Sequence, residues 1–150
     1  MTVQQPPRPS PVPDALSRPF FEGLQRHELL LMYNPETRTY ALPYSEHAGG
    51  SPGKVEWVRA SGRGRVFSFG IMHRVYHPAF AEEVPYNVAV VELEEGPRIP
   101  ANLVDVANTD ISVGMAVEVV FAPIGGGLTV PKFRPARQGP MGEEPRGQTR

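Results

Sequence analysis

Proline and glycine, and the places where they fall, decide how much of this chain can fold. There are 18 prolines and 15 glycines among 150 residues, nearly twice ordinary usage, and they are clustered. Pro6, Pro7, Pro9, Pro11 and Pro13 crowd the start, and Gly139, Pro140, Gly142, Pro145 and Gly147 crowd the end. Neither end has much to bury. Residues 1–17 therefore read as a flexible, Pro-rich arm with polyproline character and 136–150 as a flexible tail. Order is expected between residues 18 and 135, enough for one domain.

Within that span the pattern starts helical and turns to sustained β. Arg18 to about His27 reads as a short helix, with Ser17 as its cap, Pro19 in its first turn, and Phe20, Phe21 and Leu24 on one face. So short a helix must pack that face on something, either its own domain or another chain. Leu29 to Tyr33 reads as a buried strand, Asn34-Pro35-Glu36-Thr37 as a turn, Arg38 to Leu42 as a return strand, and Pro43 to Gly53 as loop. From residue 54 the period is two. Val55 to Ala60, alternating around Trp57, is expected to be the first barrel strand and to bury the indole. Arg65 to Tyr76 follows, with Phe67, Phe69, Ile71 and Val75 on one face, and then Tyr86 to Leu93, Arg98 to Val104, Ala116 to Phe121 and Leu128 to Val130. Unequal strands without helical crossovers point to a small Greek-key barrel over 54–135.

Composition removes several function classes. A net charge of −1 with only two lysines, Lys54 and Lys132, argues against a general nucleic-acid binder. The absence of cysteine excludes disulfides, thiolate zinc sites, iron–sulfur clusters and a cysteine nucleophile within these residues. No apolar run is long enough to span a membrane, and the start lacks a signal-peptide pattern, so a cytoplasmic location is expected.

Several phrases are more specific: Val55-Glu56-Trp57, Ser61-Gly62-Arg63-Gly64-Arg65-Val66-Phe67-Ser68, Pro85-Tyr86 through Glu95-Gly96, Val113-Gly114-Met115-Ala116-Val117-Glu118-Val119, and Phe133-Arg134-Pro135. In order and spacing they resemble the acyl-CoA-associated OB-fold family, long filed as a domain of unknown function, over about residues 18–135. The resemblance implies a mainly β fold: a five-stranded OB-type Greek-key barrel preceded by a short helical arm and a zinc-ribbon-like hairpin, the helix and ribbon occupying 18–53. It also implies a role as partner subunit of an acyl-CoA enzyme, especially a thiolase-like one, with some members linked to enoyl-CoA hydratases. In one place this chain departs from the family. Laying the ribbon's two Cys-x-x-Cys pairs around Pro43 puts Asn34 and Thr37 at the first pair and His47 and Gly50 at the second. Only His47 is a ligand type, so the ribbon is degenerate and no structural zinc is expected. It persists as a metal-free hairpin held by Leu30, Met32, Tyr40 and Leu42, or is partly disordered, or is steadied by a partner.

The remaining candidates divide into small groups. Arg59, Arg63, Arg65 and Arg74 lie in a stretch, Arg59 to Ala81, without a carboxylate; they meet CoA phosphates or an acidic partner face, or else protect a strand edge. Gly62 and Gly64 read as turn formers before phosphate binders. His73, His77, Glu82 and Glu83 have metal-ligand types, but Pro78 and the β pattern deny them a shared helix face. His77 keeps an acid–base reading because of its loop. Tyr76, Pro78, Phe80, Pro85 and Tyr86 make that loop either a lid on the core or a contact surface for a partner or an acyl chain. Asn87, Glu92, Asp105 and Asp110 form no nucleophile–base arrangement. The function expected is thus a non-catalytic accessory subunit of a thiolase-like acyltransferase, thiolase or aldolase, in a heterotetramer, with no cofactor of its own. Acyl-CoA or partner contacts would fall to Arg63, Arg65, Arg74, Tyr76, His77, Phe80 and Tyr86, and the partner would meet the helix at Phe20, Phe21 and Leu24. The alternatives are an accessory subunit of an enoyl-CoA hydratase, or an OB-fold module binding single-stranded nucleic acid on Phe67, Phe69, Tyr76 and Tyr86, against which weigh the charge and an alternation expected to bury the two phenylalanines.

Overall fold

The first helical turn opens on an aspartate. In the computed structural model, which describes residues 7–43 and 55–137, Asp14 Oδ1 accepts the Ser17 N–H at 2.8 Å while Ser17 Oγ accepts the Asp14 N–H at 3.0 Å. This reciprocal pair is a capping box, and it sets the start of the helical turn three residues ahead of the expected cap. Ser17 is itself in the helical region and makes no side-chain cap to helix α1, Arg18–Gln25. The helix also ends two residues early. His27 takes a left-handed φ of 60°, and its N–H and that of Glu28 return to the carbonyls of Leu24 and Gly23 at 3.0 and 2.8 Å, a Schellman ending. A parallel stack of the His27 ring on Phe121 at 5.1 Å holds an imidazole where glycine is usual.

Strands β1 (Leu30–Asn34), β2 (Thr39–Ala41) and β3 (Glu56–Arg59) form a small sheet in the order β2-β1-β3, with Met32 opposite both Ala41 and Trp57. Trp57 was expected to open the barrel. Instead its strand pairs with β1, because Leu29 and Leu31 offer a buried strand with a free side. The barrel is the second sheet: β4 (Arg63–Met72), β5 (Tyr86–Leu93), β6 (Arg98–Ala101), β7 (Ala116–Gly125) and β8 (Leu128–Pro135), in the order β6-β5-β4-β7-β8. All pairs in it are antiparallel. A parallel bridge from Leu103 to Phe133 brings the two edges together, completing the five-stranded OB-type Greek key.

One core serves helix, small sheet and barrel. Phe20, Leu24, Leu31, Val66, Val117 and Phe133 belong to a single buried cluster. The expectation that Phe20 and Leu24 meet a partner is therefore corrected: both lie inside this chain's own core. Gly23 permits this packing, since a Cβ there would stand 2.7 Å from Leu30 Cγ. Phe67 and Phe69 are also corrected. A bulge between Val66 and Ser68 breaks the alternation, and both rings are exposed, at 45% and 36%. The second ribbon pair (His47 and Gly50), Lys54, most of the 43–53 loop, the first six residues and the tail beyond 137 lie outside the described residues.

The barrel closes around the side chain of Asn87, which is 7% exposed. Its Oδ1 accepts the Leu103 N–H at 2.6 Å and its Nδ2 donates to the Leu103 carbonyl at 2.9 Å. The Asn102 amide donates to the Asn87 carbonyl at 2.6 Å. Thus held, residues 102–104 exchange backbone bonds with Phe133: its N–H reaches Asn102 O at 3.1 Å, and its carbonyl accepts the Val104 N–H at 2.8 Å. At the same end of β8, Glu118 accepts the Arg137 N–H at 2.9 Å and two Arg134 guanidinium bonds at 2.9 and 3.1 Å.

Two predictions follow from these contacts. Asn87→Ala strands a buried N–H and a buried carbonyl, each costing about 1–3 kcal/mol. The melting temperature should fall by about 10 °C, and a fall under about 2 °C would refute the closure role. The Arg137 N–H, then the Arg134 guanidinium, hold the Glu118 carboxyl below its ordinary value of 4.5. Since the folded value is the lower one, this stabilisation is complete above the unfolded value and is lost as pH falls through the folded one. Glu118→Gln should therefore be less stable at pH 7, yet lose less stability than the parent on acidification below about pH 4.5. Parallel acid-side melts of the two proteins would read the difference.

Candidate functional site

Ten residues of β4 separate the two halves of the expected contact set. Arg63 and Arg65 sit at the start of the strand, whereas Arg74, Tyr76 and His77 lie beyond its end, about 30 Å of extended chain away. They do not form one channel wall.

At the first end the arginines have acidic neighbours. Arg63 Nε contacts Glu94 Oε1 at 2.8 Å, and this bond, with the charges of Glu94 and then Glu95, raises the guanidinium pKa. Glu95 accepts the Ser61 N–H at 2.7 Å. Arg65 stands opposite Glu92 on β5 and donates to the Gly114 carbonyl at 3.1 Å. Glu92 also accepts Arg98 Nε at 3.0 Å. The stretch that is free of carboxylates in sequence is thus balanced in space by the Glu92–Glu95 hairpin. Arginines and glutamates line a shared cavity of about 490 Å³. The two glycines divide their roles: Gly62 has a φ of 80°, as a turn requires, while Gly64 is a point of close approach, where a Cβ would lie 2.5 Å from Glu92 O. Gly64 is therefore a packing residue, not a turn former or a phosphate cradle.

The second end is aromatic. The Arg74 guanidinium lies 5.4 Å from the centroid of Tyr76, whose ring is the more exposed of the two tyrosines of this loop, at 71%. His77 caps the following 3₁₀ turn, Pro78–Phe80, by accepting the Ala79 N–H on Nδ1 at 3.1 Å. Phe80 meets the His77 ring edge-on and the Tyr86 ring at a tilt. On the other side, Arg8 lies over Phe80 and bonds Glu83. His77 and Phe80 thus shape the loop, with Tyr86 beneath, and Tyr76 with Arg74 is the part that projects. Among the described residues no group of three or more His, Asp or Glu side chains is arranged to hold a metal.

Sequence reasoning missed a cavity of about 570 Å³ between the N-terminal arm, α1, β6 and β8. Pro11, Phe21, Pro100, Pro131 and Lys132 are among its walls. These residues come from four separate stretches, so no local pattern could have signalled it. The expectation that burial of Phe67 and Phe69 counts against base stacking is also withdrawn. Phe67 is nevertheless already covered by a guanidinium, that of Arg98 at 3.7 Å.

A family model described as "ChsH2, C-terminal OB-fold domain" matches residues 57–122. A solved chain of an "Ltp2-ChsH2(DUF35) aldolase" is 33% identical, with a TM-score of 0.71 covering 84% of this chain and 98% of that one. This chain belongs to the DUF35 family, the acyl-CoA-associated OB-fold proteins. A DUF35 protein of unknown function from Sulfolobus solfataricus shares the fold at 16% identity and a TM-score of 0.54. A "Probable enoyl-CoA hydratase alpha subunit" from Thermomonospora curvata is 36% identical over 86% of this chain, which spans only 40% of that relative's length. A "DUF35 domain-containing scaffold protein" from Methanocaldococcus jannaschii is 41% identical over 47% of this chain and 50% of the relative. No helix among the described residues is long and apolar enough to cross a membrane.

If Gly64 serves close packing in this DUF35 barrel, Gly64→Ala should lower the melting temperature by at least about 5 °C, because the atom it would meet is backbone. A variant that melts with the parent would return Gly64 to the binding candidates.

Proposed function

We propose that this chain is a non-catalytic accessory subunit of a thiolase-like acyl-CoA enzyme, an acyltransferase, thiolase or aldolase, on which it docks and whose acyl-CoA channel it helps to form. The observation that carries this reading is the likeness to the chain from the Ltp2-ChsH2(DUF35) aldolase over nearly that chain's whole length; the relatives named as scaffold proteins accord with it. Forming or breaking a carbon–carbon bond beside a thioester needs a positioned base or nucleophile and a stabilised oxyanion. Here Asn87 is committed to the Leu103 backbone, Glu92 to Arg98, and His77 Nδ1 to its own turn, so the chemistry is left to the partner. Acyl-CoA is the ligand of the complex, held without a metal or other cofactor of this chain, and the assembly is a cytoplasmic heterotetramer serving lipid metabolism, without nucleic acid or membrane.

The docking contact falls best on the Arg74–Tyr76 end, with His77, Phe80 and Tyr86 setting the loop. An exposed tyrosine beside an arginine is a pairing enriched among residues that dominate interfaces. Arg63 and Arg65 supply at most a balanced, salt-sensitive rim. The second reading, an accessory subunit of an enoyl-CoA hydratase, is favoured by two relatives carrying hydratase alpha-subunit names, from Thermomonospora curvata and Mycobacterium tuberculosis.

Tagged protein recovered from its native host decides between them. A thiolase-like chain should co-purify in stoichiometric amount, the isolated subunit should turn over no acyl-CoA, and Arg74→Glu with Tyr76→Ala should weaken the complex at least about tenfold. A stoichiometric hydratase chain instead would favour the second reading. Turnover by this chain alone would overturn both.

A further inference from the structure

The family resemblance implies a metal-held ribbon here, and without a metal something else must keep its turns in shape. The structure describes the first of those turns, at Asn34 and Thr37. Zinc is held by thiolate, imidazole or carboxylate in a tetrahedral set, and neither residue fits that chemistry. Asn34 is 2% exposed, and its carboxamide oxygen is already occupied: it accepts the Glu36 N–H at 2.8 Å and the Thr37 N–H at 3.3 Å. The Thr37 hydroxyl is 2.7 Å from that of Thr39.

The same bonds define what Asn34 does. A side-chain oxygen taking the N–H groups two and three residues ahead makes an Asx turn, a local substitute for a backbone turn. The Arg38 N–H closes the turn onto the Asn34 carbonyl at 2.7 Å, and Arg38 itself takes a left-handed φ of 58°. Behind the turn, the rings of Tyr33 and Tyr40 meet at a tilt, 4.8 Å apart, while Leu31, Met32 and Leu42 are buried. The side chain therefore stands where the family's first ligand would be and points its one acceptor atom at the backbone of its own turn. It lies at the end of β1, the central strand of the small sheet, so the turn that it holds also fixes the β1–β2 register.

We infer that Asn34 has taken over from the metal. In this chain the DUF35 ribbon is an Asx-capped hairpin whose first turn depends on one buried amide oxygen and whose folding is independent of zinc. This inference rests on family membership and the Asn34 geometry, not on the identity of the partner.

The test uses the full chain, purified without chelator, with amide hydrogen exchange as its local readout. Elemental analysis should find well under one zinc per chain, and a strong chelator should leave the melting temperature unchanged. The Glu36 and Thr37 amides should be protected in the parent and exchange at least about tenfold faster in Asn34→Ala. They should be protected again in Asn34→Asp, which keeps the acceptor, while Asn34→Ala melts about 5 °C lower. If Asn34→Ala fails to fold, the comparison of Asn34→Asp with the parent decides alone, and rapid exchange in Asn34→Asp overturns the inference. Stoichiometric zinc, a chelator-induced fall in melting temperature, or equal protection in Asn34→Ala and the parent would each overturn it too.

Discussion

A five-stranded sheet becomes a barrel only when its two edge strands meet, and here they do so through a segment too irregular to pair unaided. β6 ends at Ala101, one residue after Pro100, so the chain beyond it does not simply continue the ladder onto β8. Asn87 supplies what the ladder lacks. Rising from the neighbouring strand, its amide matches both the donor and the acceptor of Leu103, presenting residues 102–104 to Phe133 at the spacing a parallel bridge needs. A ring that is fully buried in the core is thereby tied by its own backbone to the far edge. Core packing and barrel closure thus meet at one residue, Phe133, and the position of that residue depends on a polar group of another strand.

The electrostatics follow from the same topology. Because β4 lies between β5 and β7, the arginines that begin it face carboxylates on both sides: Glu92 across β5, Glu94 at the following turn, and Glu118 across β7. In water such exposed pairs contribute little to stability, yet they cancel the field a phosphate would feel. A near-neutral protein can still hold a cationic patch, but this one spends its arginines in pairs. Those placed over aromatic rings, Arg98 on Phe67 and Arg74 on Tyr76, present a flat, amphipathic surface better suited to another protein than to a bare phosphate chain.

Much of the architecture was legible because alternation and turn chemistry are local. The Glu95-Gly96 turn and the apolar run ending at Leu93 place a hairpin with no knowledge of the rest. Trp57 and Phe67 were misplaced for a different reason. A strand's period says that one face is buried but not which sheet it joins, and a bulge inverts the period without leaving any mark in composition. The capping box was in view as Asp14 and Ser17, three apart, but the nearer serine looked sufficient. At the site, His77, Phe80 and Tyr86 fall together in space as their closeness in sequence suggests, whereas the supposed continuity from Arg63 to Tyr76 ignored the length of the strand between them. The Asn87 lock and the cavity beneath the arm escaped altogether, since both are built from residues that meet only after folding.

The shared core limits how a partner can be engaged. Helix, small sheet and barrel bury their apolar faces against one another, so detaching α1 to offer Phe20 and Leu24 to another chain would expose two side chains whose full burial stabilises the fold by several kcal/mol. Docking has to use what folding leaves over. Within the described residues this means the Arg74–Tyr76 projection, the rings of Phe67 and Phe69 beside the bulge, and the proline-lined cavity under the arm. The first two belong to β4 or the loop that follows it. Phe67 continues the outward-facing set of Arg63 and Arg65, and beyond the bulge Phe69 pairs with the buried Ala89 yet keeps part of its ring exposed. Aromatic surface that folding leaves uncovered in this way is where burial against a protein partner would gain most.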